Sequence, residues 1–300
     1  MALPEMKQET AVEAGMAPKE TTQFQQIARR FLRNKTAVVG ACVLVILYTV
    51  ALFAPWLASE PLEYLSIPDR FLSPSWAHPF GTDNLGRDVL SRMIWGSRIS
   101  LSVGFVAMGM AVTIGTLVGA IAGFYGGTWI DLLLMRIAEA IDIIPVFFLL
   151  ITIVAVLPKS TYNIMIILGI TSWPGLAQIV RSQFLSLRQR DYSEASRAMG
   201  ARDSRLIFRH ILPNAAGPII VSATLRIGSA ILSESSLSFL GIGTPPPAIS
   251  WGQMLNSSRA FMGKAPWTMI WPGVAIFLVV ICFNFIGDGL RDALDPKMKR

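Results

Sequence analysis

Six mainly apolar stretches of membrane-spanning length alternate with polar segments along this 300-residue chain. A helix needs ~20 such residues to cross a hydrocarbon layer ~30 Å thick. Backbone in lipid must satisfy its own hydrogen bonds, so such stretches fold as helices. They run over about 37–57, 99–124, 130–157, 164–180, 215–240 and 267–286. The prediction is an all-α integral membrane protein with six transmembrane helices. Only 15% of the residues are charged, against about 25% in soluble domains.

The stretches divide the chain. Residues 1–36 form a polar cytoplasmic tail, 37–57 a first transmembrane helix, and 58–98 an extracytoplasmic loop. Residues 99–286 form a five-helix core that includes a polar loop over 181–214. Residues 287–300 form a second cytoplasmic tail. Six crossings put both termini on one side. That side holds 17 of the 26 Lys and Arg residues and the other side 7, with Arg136 and Arg226 embedded. Basic excess marks the cytoplasmic face, so both termini are predicted there. The net charge of +7 thus belongs to membrane flanks, which argues against a nucleic-acid partner.

Cys42 and Cys282 lie inside apolar stretches and read as small packing residues. His78 and His210 are the only histidines, too few for a histidine-built metal site. No Gly-x-x-x-x-Gly-Lys-Ser/Thr loop is present. No Ser/His/Asp or metalloprotease pattern appears either, which disfavours a membrane-embedded enzyme. Energy for any transport must come from a partner or an ion gradient.

Residues 191–214 are the part that lipid cannot solvate. Ala195, Ala198 and Met199 recur at helical spacing. Gly200 fits a helix stop. Asp203 or Ser204 can cap a second helix whose apolar face is Leu206, Ile207 and Ile211, with Pro213 ending it. Two short helices joined by a tight turn are expected. They serve either as a basic loop on lipid headgroups or as a docking surface.

Arg136, Glu139 and Asp142 share a helix face at i, i+3 and i+6. Embedded charges cost ~2.5–3.5 kcal/mol each on insertion scales and face a bundle interior or water. They read as a translocation path or gate together with Arg226 and Glu234, or as static pairs to those two residues. Pro145 and Pro174-Gly175 are expected to break their helices. A proton-coupled secondary transporter using Glu139, Asp142 and Glu234 is the alternative to a partner-driven one.

Glu194-Ala195-Ser196-x-x-x-Gly200, followed by Leu212-Pro213, resembles the Glu-Ala-Ala loop of importer-type ABC permeases. Ser196 replaces an alanine there, and the form His210-Ile211-Leu212-Pro213-Asn214 is similar to the peptide-importer branch. His78–Arg92 resembles the first extracytoplasmic loop of the dipeptide/oligopeptide/nickel permease family. Leu237–Gly243 with Pro245-Pro246-Pro247 and Trp251-Gly252, and Gly287–Pro296, resemble its fifth-span exit and its C-terminal motif. Together they favour the second of the two permeases in such systems.

The resemblance implies a type I ABC importer permease in a bacterial inner membrane, not itself an enzyme. It would translocate di- or oligopeptides, or similar solutes such as glutathione, nickel or opines. No cofactor is expected in this chain; ATP and Mg would bind partner subunits. The implied partners are a second homologous permease forming a heterodimer, two ATP-binding subunits and a periplasmic solute-binding protein. Tyr192, Glu194, Ala195, Ser196, Ala198, Met199, Gly200, Ala201, Arg202, Leu212 and Pro213 would couple to the ATP-binding subunit. Gly81, Thr82, Asp83, Gly86, Arg87 and Asp88 would help receive the binding protein, or would form part of a lid on the membrane surface.

Overall fold

The computed structural model describes residues 23–156 and 160–294. Expectations that fall on 1–22, 157–159 and 295–300 lie outside the described residues. Among the described residues the chain is helical, with one isolated antiparallel bridge between Thr82 and Asp88.

A short helix α1 (Gln23–Arg33) precedes α2 (Lys35–Leu52). Asn34 separates them, and its side chain caps α2 by accepting from Ala37 N at 3.2 Å. A four-residue turn α3 (Ala54–Leu57) follows, then the loop, then α4 (Val89–Phe124). Helix α4 starts ten residues ahead of Ile99. Asp88 caps it there, accepting from Ser91 N at 2.7 Å. At 36 residues it is about 54 Å long, so its first turns extend beyond the apolar layer.

The third apolar stretch is not one helix. It forms α5 (Trp129–Ile143) and α6 (Val146–Val156). Pro145 has no N–H to donate, and a residue before proline is pushed out of the helical region. Ile144 is accordingly extended, with φ −79° and ψ 119°. The fourth stretch is α7 (Thr161–Thr171) and α8 (Pro174–Leu187), interrupted at Ser172-Trp173 as Pro174 predicts. Then come α9 (Asp191–Ala198), the single turn α10 (Asp203–Arg205), a π-helical turn at Leu206–Ile211 and α11 (Leu212–Phe239). Helix α12 (Trp251–Ser258) precedes α13 (Trp267–Leu294). Five helical stretches are long and apolar enough to cross a membrane: 35–52, 89–124, 161–187, 203–239 and 267–294. The broken pair α5–α6, which covers the apolar stretch expected as a further crossing, is not among them.

The bundle has two distinct ends. At one, Asn34 Nδ2 donates to the Asp292 carboxylate at 3.5 Å, and Tyr125 Oη donates to Asp203 at 3.1 Å. The start of α2, the ends of α4 and α13 and the polar segment around α9 therefore lie together. At the other, Trp267 Nε1 donates to Thr82 O at 3.1 Å, and Phe80 stacks on Trp271 at 4.0 Å. The loop before α4 and the segment around α12 close that end. Between them α4 and α8 touch backbone to backbone. A Cβ on Gly119 would overlap Ala177 O, and one on Gly123 would lie 2.5 Å from the Phe184 Cβ. Small residues permit this approach, which strengthens packing where lipid supplies no hydrophobic drive.

Candidate functional site: a projecting helix on a fixed elbow

Helix α9 carries Asp191 and Glu194 in its first turn and Arg197 in its last, the arrangement that complements the helix dipole. Ser193 and Ser196 turn inward and are buried. Ser193 Oγ donates to Leu187 O at 2.9 Å. Tyr192, Glu194, Ala195 and Ala198 are exposed, and Met199 is 83% exposed. The small apolar face expected from Ala195, Ala198 and Met199 thus exists, and it points away from the protein.

Gly200 ends the helix at φ +82°. Its N–H bonds Arg197 O at 2.9 Å, and the Ala201 N–H bonds Ser196 O at 3.1 Å. These are the two bonds of a Schellman stop. The second helix departs from expectation twice. Neither Asp203 nor Ser204 caps it, because Arg202 holds the cap position and the Asp203 carboxylate accepts from Tyr125. That bond favours the neutral phenol and pushes Tyr125 above its ordinary range. Nor does Pro213 end the helix. The Leu212 N–H reaches back five residues to Ile207 O, and this wider π turn makes room for the Pro213 ring within the continuing helix. The chain runs from Asp203 to Phe239 as one rod.

The elbow is fastened to the bundle. Arg188 donates to Phe124 O at 2.8 Å and to Gly126 O at 3.3 Å. The Arg197 guanidinium lies over the Phe124 ring at 5.7 Å. Leu206, Ile207 and Ile211 are buried against Phe124, Val180 and Phe184. Ala201 and Leu212 pack at the edge of this cluster, while Arg202 and Pro213 are exposed.

Arg136 and Glu139 pair at 2.8 Å with both side chains at least half exposed. Asp142 accepts from Gln178 Nε2 on α8 at 3.1 Å. Arg136, Glu139 and Gln178 line a cavity of about 750 Å³ at the α5–α8 face. Among the described residues, neither Arg226 nor Glu234 forms an ion pair with this group. Arg226 lies against Gly175. Glu234 is fully buried and accepts from Ser238 at 2.6 Å and Thr244 at 3.4 Å. The brace between α5 and α8 is a pair that sequence reading missed, Asp131 with Arg181. Asp131 stands in the first turn of α5, four residues after Gly127, and that position was the only available signal.

In the loop before α4, Gly81, Thr82, Asp83, Gly86 and Asp88 are buried and Arg87 is partly so. Asp83 accepts from Arg87 Nε at 2.7 Å and Arg92 Nη1 at 2.5 Å. Thr82 Oγ1 accepts from Leu72 N at 2.8 Å. These residues build the loop from inside. Its exposed large apolar side chains are Tyr64, Leu65, Ile67, Leu72 and Trp76.

Residues 115–300 match the family described as binding-protein-dependent transport system inner membrane component. The chain belongs to this family. Residues 22–74 of this inner membrane component also match the N-terminal TM domain of oligopeptide transport permease C. Among its relatives, the dipeptide transport system permease protein DppC of Alkalihalophilus pseudofirmus is 45% identical over 276 residues, 92% of this chain and 90% of that protein. The glutathione transport system permease protein GsiD of Pectobacterium atrosepticum is 43% identical, covering 93% and 92%. Inward facing conformations of the MetNI methionine ABC transporter superpose with TM-scores of 0.55 and 0.56 at 22% and 20% identity. They cover 69% of this chain and 97% and 98% of those chains. That likeness carries the fold, a type I ABC importer permease. The inner membrane component is a multi-pass transport subunit rather than an enzyme.

Proposed function

We propose that this chain is the second permease of an ATP-driven importer of di- or oligopeptides, working as a heterodimer with a homologous permease. Two ATP-binding subunits hold ATP and Mg, and one of them docks on α9. A periplasmic binding protein delivers the cargo. The observation that carries this reading is the outward face of α9. Tyr192, Glu194, Ala195, Ala198 and Met199 are presented to solvent by a helix fastened at both ends. A rigid lever with an unfilled apolar patch fits a partner that moves. Closure of the ATP-binding subunits would displace α9, and the continuous rod from Asp203 to Phe239 would tilt with it.

The end that bears α9 faces the cytoplasm in this reading, with the start of α2 and the end of α13 at the same end. The basic excess on that end supports the orientation. The cavity at Arg136, Glu139 and Gln178 opens on the same end and serves as the inner mouth of the path, with Asp142 deeper along the same helix. At the opposite end Gly81, Thr82, Asp83, Gly86, Arg87 and Asp88 hold the frame on which the exposed Tyr64 and Trp76 meet the binding protein. The names of the 45% and 43% identical relatives support peptide or glutathione as cargo.

The complex reconstituted in vesicles tests this. Dipeptide uptake should require ATP, stop with vanadate and survive a proton uncoupler. Uptake that proceeds without ATP and collapses with the uncoupler would overturn it in favour of proton coupling.

A further inference from the structure

Helix α1 separates its residue types cleanly. Wound at 3.6 residues per turn, Ile27, Ala28, Phe31 and Leu32 fall on one face, and Gln25, Gln26, Arg29, Arg30 and Arg33 on the other. Phe31 turns to the bundle, its ring 3.4 Å from where a Cβ on Gly289 would stand. Leu32 does not, and is 66% exposed. Arg29, Arg33 and Lys35 are exposed around it. One residue later the chain enters the apolar α2, whose Val39, Val45 and Ile46 are all more than half exposed. The basic face therefore stands at the level where apolar side chains begin to face outward.

We infer that α1 is a binding site for anionic phospholipid. Leu32 enters the acyl boundary, and Arg29, Arg33 and Lys35 hold headgroup phosphates. An amphipathic helix of this charge pattern partitions into a membrane interface, with the basic stems lying along the apolar boundary. Each basic residue beside an anionic surface strengthens attachment roughly fivefold. The competing occupant is an acidic face of a protein subunit. Direct continuity of α1 with the lipid-facing α2 favours lipid, since a protein there would have to displace headgroups.

The test uses the whole transporter complex, taken from vesicles of phosphatidylcholine and phosphatidylglycerol and weighed intact by native mass spectrometry. The wild type should retain phosphatidylglycerol over phosphatidylcholine. Arg29→Gln/Arg33→Gln/Lys35→Gln should retain at least ~10-fold less of it, with phosphatidylcholine unchanged. Leu32→Asp, which leaves the cations in place, should also lower retention. Equal phosphatidylglycerol on wild type and triple variant would overturn the inference, as would loss of a protein subunit with lipid retained. The readout is lipid rather than uptake, so it stands or falls separately from the transport reading.

Discussion

Arg181 on α8 holds Asp131 on α5 by two parallel hydrogen bonds, Nε to Oδ1 at 2.5 Å and Nη2 to Oδ2 at 2.7 Å. Asp131 also accepts from Gly127 N at 3.0 Å, and its side chain is only 6% exposed. The pair ties α5 to α8, next to the elbow that carries α9. Removing Arg181 strands a buried carboxylate, a loss of about 3 kcal/mol. Arg181→Ala should clearly lower the melting temperature of the purified complex. Asp131→Asn/Arg181→Gln, which leaves no lone charge, should lose less. Unchanged melting of Arg181→Ala would contradict this role.

Glu234 is a pin of another kind. Its carboxylate gathers the Ser238 and Thr244 hydroxyls, and Ser238 Oγ also accepts from Thr244 N at 3.2 Å. This fastens the exit of α11 to the following loop. Glu234→Gln keeps an acceptor and should preserve ATP-driven uptake. Glu234→Leu leaves buried hydroxyls unpaired, at about 1–3 kcal/mol each, and should lower the yield of assembled complex. An assembled Glu234→Gln complex without uptake would give Glu234 a role in transport itself.

Two glycines at similar φ should respond differently. A Cβ added at Gly200, where φ is +82°, would meet nothing within 4 Å, whereas at Gly86, φ +73°, it would overlap Ser66 O. Gly200→Ala should cost only the left-handed backbone penalty, about 1–2 kcal/mol. Gly86→Ala must displace the loop and should abolish assembly. Comparing the two variants by yield and melting of the complex checks this, and equal behaviour would contradict it.

The crossings were legible because their signals are local. Apolar length marks the spans, Pro145 and Pro174 mark the breaks, and Gly200 marks the stop of α9. Features that depend on distant partners were not. Asp131 and Arg181 lie fifty residues apart, and nothing near either one names the other. Thr82, Asp83 and Asp88 read as solvent-facing polar residues of a loop, yet they are buried and bonded to Leu72, Arg92 and Ser91. Pro213 looked like a helix end because the π turn before it, which makes room for the ring, has no signal in residue type. Asp88 as the cap of α4 could have been read, since it directly precedes Val89-Leu90.

Under the proposed function, α9 is the contact through which ATP hydrolysis drives the permease. Glu194 is exposed on the outward face and makes no side-chain hydrogen bond among the described residues. Glu194→Lys should therefore leave the chain folded, with melting lowered by no more than the loss of one helix-dipole contact, about 1 kcal/mol. In vesicles holding the complete complex, ATP hydrolysis and peptide uptake are measured together. The predicted result is uptake reduced at least ~10-fold, the loss expected when a charge is reversed at the centre of an interface, with hydrolysis no longer stimulated by loaded binding protein. Wild-type uptake with wild-type stimulation would contradict the coupling role of α9.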